Sequence, residues 1–304
     1  MNKNPKNSYY ESGEIVFGIQ SPGPGWIKLD GSTQQISAKI SNKLITISWN
    51  TQASNFGVSG IYSVAYGNGT WVAGGNLALR TSTDTINWNT QTSNFGASAT
   101  YSVAYGNGTW VAGGAGGALR TSTDTINWNT QTSNFGASAI NAIAYGNGTW
   151  VAGGLAGALR TSTDTINWNT QTSNFGASNI NAIAYGNGIW VAGGAGGALR
   201  TSTDTINWNT QTSNFTTVIY SVAYGNGTWV AGGSGGTLRT STDTINWNTQ
   251  TSNFGASAIN AIAYGNGIWV DGGAGGALRT SNITSTYATP IINPAYNIYG
   301  WMKL

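Results

Sequence analysis

The chain contains no cysteine. No disulfide and no thiolate-metal site can form, and redox logic leaves the compartment unassigned. Charge is almost as scarce, at 7% of residues against roughly 25% in an average globular protein. Hydroxyls, amides and glycine must therefore cover much of the surface. No apolar run approaches the length of about 18 residues that a membrane-spanning helix needs. The opening stretch MNKNPKNSYYESG lacks the apolar core of a signal peptide. A protein of this kind that works outside a cell is expected to leave by lysis or by a dedicated secretion system.

The scarce charges are unevenly placed. Between Leu44 and Ser281 the charged residues are six arginines and six aspartates, so this stretch is neutral. All six lysines lie in the flanks with Glu11, Glu14 and Asp30, which accounts for the net +3 of the whole chain. A nucleic-acid binder concentrates positive charge on one face, and no such footprint is visible here. Neither nucleic acid nor membrane insertion is expected.

What is present is a repeat. The segment AYGNGTWVAGGAGGALRTSTDTINWNTQTSNF, Ala104 to Phe135, recurs almost letter for letter. Its AYGNG tyrosines are Tyr66, Tyr105, Tyr145, Tyr185, Tyr224 and Tyr264, spaced 39, 40, 40, 39 and 40 residues apart. A period near 40 with internal turn signals marks a repeat architecture. Each unit reads as short strands: Ile140–Tyr145, a tight turn at Gly146-Asn147-Gly148, Thr149–Ala152, Gly157–Ser162 and Ile166–Gln171. No stretch has helical periodicity. Radially repeated four-stranded units are the signature of β-propeller blades.

The ends of the array set the blade count. The third-strand arginines are Arg80, Arg120, Arg160, Arg200, Arg239 and Arg279, whereas the fourth-strand tryptophans start earlier, at Trp49. The chain thus supplies a fourth strand first, Ile45–Gln52, and lacks one after Arg279. That early strand is expected to complete the last blade and pair its exposed edge. The fold class is all-β, a six-bladed propeller of four-stranded blades over residues 44–281. Residues 1–43 and 282–304 are expected to form terminal attachment segments packed together. Trp26, in GWIKLDGST, and Trp301, in GWMKL, are their anchoring aromatics.

Three repeated features are candidates for function. Asp84, Asp124, Asp164, Asp204 and Asp243 each follow a serine and precede a tryptophan, as in Ser162-x-Asp164-x-x-x-Trp168. A short carboxylate in a turn can accept backbone N–H bonds while the tryptophan packs. The arginine of Leu-Arg-Thr-Ser either bonds within or between blades or offers a ring of donors to an anionic or polyhydroxylated ligand. The Ser-Asn-Phe loops place an aromatic ring beside an amide, the pairing that stacks on and bonds a sugar. They carry Asn55/Phe56 and five further pairs, Asn94/Phe95, Asn134/Phe135, Asn174/Phe175, Asn214/Phe215 and Asn253/Phe254. The same phenylalanines could instead plug the clefts between blades. The ligand-binding reading places contacts at the ten residues of the five further pairs.

The serine–aspartate–tryptophan element resembles the Asp-box of sialidases, S-x-D-x-G-x-T-W, with isoleucine or asparagine where glycine and threonine are usual. In that family the element is a fold feature far from catalysis. A sialidase mechanism needs an arginine cluster, a tyrosine nucleophile with its glutamate, and an acidic proton donor. This propeller has no glutamate, and the chain has no histidine. Glycosidases generally need two carboxylates in different roles, and only Asp271, in WVDGG, departs from the equivalent set. No catalytic residue, cofactor or metal is expected, and the chain reads as a non-enzyme.

The flank GWIKLDGST and terminal GWMKL resemble the collar-like GW-x-x-x-DG segments of bacteriophage tail proteins. The repeat is similar to propeller repeats of phage and prophage virion proteins. Only a shortened collar-like segment is present here. The resemblance implies a virion structural protein, assembled in the host cytoplasm, associated with the tail or a fibre and joined to other virion proteins through its termini. The expected function is a host-surface adhesin that binds glycan, with near-identical repeats adding weak contacts as avidity. The alternatives are a decoration or tail-assembly protein without a ligand, and a bacterial repeat-propeller lectin.

Overall fold

A computed structural model describes residues 15–16, 26–28, 43–57, 59–76, 78–91, 95, 98–287 and 301–303. Residues Ile45–Thr284 form one compact unit; Met1–Leu44 with Ser285–Leu304 form another. The larger unit is a six-bladed β-propeller of four-stranded antiparallel sheets. The third blade illustrates the plan, with strands Ile140–Gly146, Thr149–Gly154, Leu159–Ser162 and Asn169–Gln171. The first strands of neighbouring blades pack on one another around the whole ring, including the sixth on the first. The first strand is therefore innermost and the fourth outermost.

The ring closes through the strand Lys43–Gln52. It lies beside Leu278–Tyr287 as the outer strand of the sixth blade, whose inner strands are Ile259–Gly265 and Ile268–Gly273. The third strand of that blade thus runs past residue 281, where the last recognisable repeat stops.

Local chemistry dictates the hairpins. First and second strands are joined by Asn-Gly pairs, for example Asn147 (φ 46°) and Gly148 (φ 77°). Two consecutive left-handed residues make the type I′ turn whose twist matches the strands it joins, and asparagine and glycine adopt it at least cost.

Packing between blades follows from small residues on one blade facing large ones on the next. Trp71, Trp110, Trp150, Trp190, Trp229 and Trp269 are at most 2% exposed. Each indole contacts the tyrosine opposite it in its own blade, with ring centroids 4.8–5.0 Å apart. Each hydrophobic cluster spans two blades. One combines Val111 and Leu119 of the second blade with Ile140, Ile143, Trp150 and Trp168 of the third. Burying one indole removes about 200 Å² from water, worth about 5 kcal/mol at about 25 cal/mol per Å².

The glycine after each tyrosine sets how closely the blades approach. A Cβ on Gly146 would fall on the ring of Tyr185 in the next blade, and one on Gly265 would fall on Tyr66 across the closure.

The smaller unit contains a three-stranded antiparallel sheet in the order Ile15–Val16, Trp301–Lys303, Trp26–Lys28. Trp301 is opposite both Val16 and Lys28, and Trp26 is opposite Lys303.

Gly146→Ala should lower unfolding stability by about 1–3 kcal/mol, the usual cost of overpacking. In a Tyr185→Ala background the same substitution should cost much less, measured as a double-mutant cycle by denaturant unfolding. An unchanged cost in that background would rule out the inter-blade clash as the cause.

Candidate functional site

The five aspartates of the serine–aspartate turns are occupied. Asp164 Oδ1 accepts from the Ile166 N–H at 2.9 Å, the Asn167 N–H at 2.8 Å and Ser162 Oγ at 3.0 Å. Its Oδ2 accepts from Asn167 Nδ2 at 2.8 Å. Bonds from the Asn backbone, the Asn side chain and the Ile backbone hold Asp84, Asp124, Asp164 and Asp204 well below the usual carboxylate range. Burial pushes Asp243 upward, but the bonds from Asn246, Ile245 and Ser241 bring it to about 2. Thr165 between them adopts φ +66°, rare for a β-branched residue. Its carbonyl receives the Trp168 Nε1–H at 3.0 Å. These carboxylates are built into the turns.

The Asn-Phe loops lie at the opposite ends of the blades from those turns. Phe95, Phe135, Phe175, Phe215 and Phe254 are 5–7% exposed. An arginine guanidinium sits over each ring, 5.0 Å from the centroid for Arg160 on Phe135 and 4.1 Å for Arg279 on Phe254. Such contacts contribute about 0.5–2 kcal/mol each. Asn134 and Asn174 adopt φ +59°, and their Nδ2 atoms donate to the Trp168 and Trp208 carbonyls at 2.9 and 2.8 Å. The carbonyls of Asn134, Asn174, Asn214 and Asn253 accept from Arg160, Arg200, Arg239 and Arg279. Asn94 lies outside the described residues. The phenylalanines therefore fill the clefts beneath their loops, and a ligand above them would meet the arginines and backbone first.

Asp271 breaks the repeat in the interior. The equivalent residues, Ala73, Ala112, Ala152, Ala192 and Ala231, are buried. Asp271 is fully buried, its strand partner is Arg279, and neither carboxylate oxygen has a hydrogen-bond partner. Burial pushes its pKa well above the usual value, and the Arg279 charge only partly opposes this.

The feature that gathers side chains into a cavity is the ring axis. Each first strand contains a β-bulge after its opening residue, as between Ile140 and Ala142. The bulged residues are Tyr62, Tyr101, Asn141, Asn181, Tyr220 and Asn260. All six line a cavity of about 500 Å³ at the loop end of the axis, within the range of about 300–1,000 Å³ typical of small-ligand sites. Bulges re-aim side chains beside functional sites.

The Tyr62 and Tyr101 rings pack edge to face at 5.6 Å. Asn141 Nδ2 is 3.4 Å from both Asn181 Oδ1 and the Ile180 carbonyl. In a six-bladed ring, units three apart face one another, so Tyr101 faces Tyr220 and Asn141 faces Asn260. One wall is further distinguished. Leu155 and Asn179 line the cavity, and Asn179 Oδ1 accepts the Ala156 N–H at 3.0 Å. Ala156 holds φ +51° where Gly116, Gly196, Gly235 and Gly275 occupy the same turn elsewhere.

A second, smaller space of about 70 Å³ on the axis is lined by residues such as Ser63, Ser102 and Ser221. These serines seal blade to blade by accepting the N–H groups of Val103, Ile143 and Ile262 at 2.8 Å. Among the described residues, no charged residue lines either part of the axis.

Sequence reasoning about the loops missed this site. The signal was an alternation within a nearly constant repeat, Tyr-Ser-Val at 62–64, 101–103 and 220–222 against Asn-Ala-Ile at 141–143, 181–183 and 260–262.

Comparison with known proteins reaches the fold alone. No protein-family model and no curated protein matches the chain. Several solved structures are similar. A protein of unknown function from Bacteroides thetaiotaomicron VPI-5482 has a TM-score of 0.60 at 12% identity, covering 80% of this chain and 77% of that one. YCF48 from Cyanidioschyzon merolae has a TM-score of 0.52 at 15% identity, covering 77% and 98%. YCF48 bound to D1 peptide has a TM-score of 0.53 at 16% identity, covering 74% and 77%. At such identities these relate the propeller and nothing of its ligand. Among the described residues no helix is long and apolar enough to cross a membrane, and no group of three or more acidic residues could hold a metal.

Two pH effects should be measurable by thermal unfolding. The turn aspartates have lowered folded pKa values, so their stabilisation is present above about pH 4 and lost as the pH falls further. Asp164→Asn should shrink that acid-side loss. Asp271 has a raised folded pKa, so its cost emerges as the pH rises above about 4. Asp271→Ala should therefore stabilise the protein by about 1–3 kcal/mol at pH 7, the cost of an unpaired buried polar group. Its gain should be smallest near pH 3. A gain independent of pH would mean that Asp271 is not buried as a titrating acid.

Proposed function

We propose that this chain is a non-enzymatic recognition module that binds a neutral glycan at the loop-side mouth of its axial cavity. The observation that carries this reading is the composition of the mouth: tyrosines and asparagines from all six blades, without a charged group, around about 500 Å³. Tyrosine rings stack on the apolar faces of pyranoses, and asparagine amides donate to and accept from hydroxyls. Asp84, Asp124, Asp164, Asp204 and Asp243 carry the turn bonds described above, and Asp271 is enclosed in the sixth blade. This leaves hydrolysis without the paired carboxylates it generally uses.

Within that reading, the resemblance of GWIKLDGST and the AYGNG repeat to phage tail proteins supports placement on a virion tail or fibre. There the ligand would be a host-surface glycan and the terminal segments would hold the chain to other virion proteins. A peptide ligand is the second reading. YCF48, a propeller of similar fold, has been solved bound to D1 peptide, and asparagine amides pair with peptide backbones as readily as with hydroxyls.

An array of neutral and charged glycans, including bacterial surface polysaccharides, tests the main reading when probed with the intact chain. Saturable binding to neutral glycans is expected, reduced at least tenfold by Asn141→Ala/Asn181→Ala in a folded variant. Binding to peptides alone, or to nothing, would reject the glycan reading. Mass spectrometry of purified particles from a producing host should find the chain among the virion proteins.

A further inference from the structure

We infer that the ring holds a single asymmetric site that takes the terminal residue of a glycan chain end-on, clamped between Tyr101 and Tyr220. This inference rests on the glycan reading above and departs from the multivalent binding that six similar repeats suggest.

The first ground is where the repeats differ. The Asn-Phe-Arg clefts recur around the ring, and their rings are buried beneath arginines. By contrast, the bulged residue alternates between tyrosine and asparagine in the irregular order Tyr62, Tyr101, Asn141, Asn181, Tyr220, Asn260. Two further departures that line the mouth, Leu155 and Asn179, come from one sector. Leu155 is 40% exposed, on a turn whose Ala156 holds the left-handed backbone that glycine occupies in the other described blades. A six-fold frame bearing a wall of this kind on one side presents one site, not six.

The second ground is the shape of the axis. Beneath the mouth of about 500 Å³ the first strands line a much smaller space of about 70 Å³. That lower space accommodates a few water molecules. Serine bonds of 2.8 Å join three of the six pairs of neighbouring first strands around it. A polysaccharide cannot thread such a channel, so it can offer the mouth only an end.

The third ground is the disposition of groups. Tyr101 and Tyr220 lie three blades apart, on opposite sides of the same mouth, so a sugar ring entering on the axis has a tyrosine on either side. Asn141 and Asn260 face each other on a second diameter, where equatorial hydroxyls would point. The Asn179 amide is partly committed to the Ala156 N–H and stiffens the Leu155 wall, which suits an apolar substituent of the terminal sugar.

The test uses the intact chain and an array of neutral oligosaccharides ending in hexose, N-acetylhexosamine or deoxyhexose. The strongest binder is then titrated calorimetrically. The expected stoichiometry is one per chain, with competition by the free terminal monosaccharide. Binding should be lost when an unrelated sugar caps that terminus. Tyr101→Ala and Tyr220→Ala should each weaken binding at least tenfold, and the corresponding phenylalanine variants should retain most of it. Stoichiometry and capping need no variant, so a misfolded variant does not obscure the answer. A stoichiometry near six, or binding that survives capping, would overturn the end-on site while leaving glycan recognition standing. Absence of any glycan binding would remove both.

Discussion

The propeller depends on the fit of glycine on one blade against aromatic and branched side chains on the next. Gly146 accepts the ring of Tyr185, and Gly153 accepts Ile180, in each case with no room for a Cβ. The same arrangement is repeated around the ring, ending with Gly265 on Tyr66 and Gly272 on Ile61. Because these contacts connect blades, no blade has a complete core alone. The six clusters are each shared by two neighbours. This explains the glycine content of a chain that is otherwise well packed, and why the outer strand of the last blade comes from the beginning of the array.

Polar chemistry divides between the two ends of the blades. At one end, exposed aspartates and asparagines satisfy the backbone of tight turns. At the other, arginines stack on buried phenylalanines and bond loop carbonyls. Both sets hold the frame. The side chains that vary from blade to blade at the bulges line the axis, and these are the groups to which recognition is assigned in the proposal. Asp271 is the exception, a departure within the sheet whose cost the frame bears.

The Asn-Phe pairs were conspicuous because they recur, and recurrence here belongs to packing. Asn134 is needed for its left-handed backbone and its bond to Trp168; Phe135 is needed in the cleft under Arg160. A tyrosine–asparagine alternation within nearly identical strands was the quieter signal. Its meaning depends on which strand lies innermost, which local pattern does not reveal.

The strand plan, the blade number and the closing role of the segment around Trp49 were determined by sequence alone. Turn chemistry, strand length and repeat offset are local properties, and each was written six times or nearly so. Tertiary structure decided which repeated residues are interior and which reach a cavity. That outcome depends on the bulge that turns Asn141 and its equivalents toward the axis, and on the opposition of blades three apart. Both are relations between distant parts of the chain, set by closure of the ring.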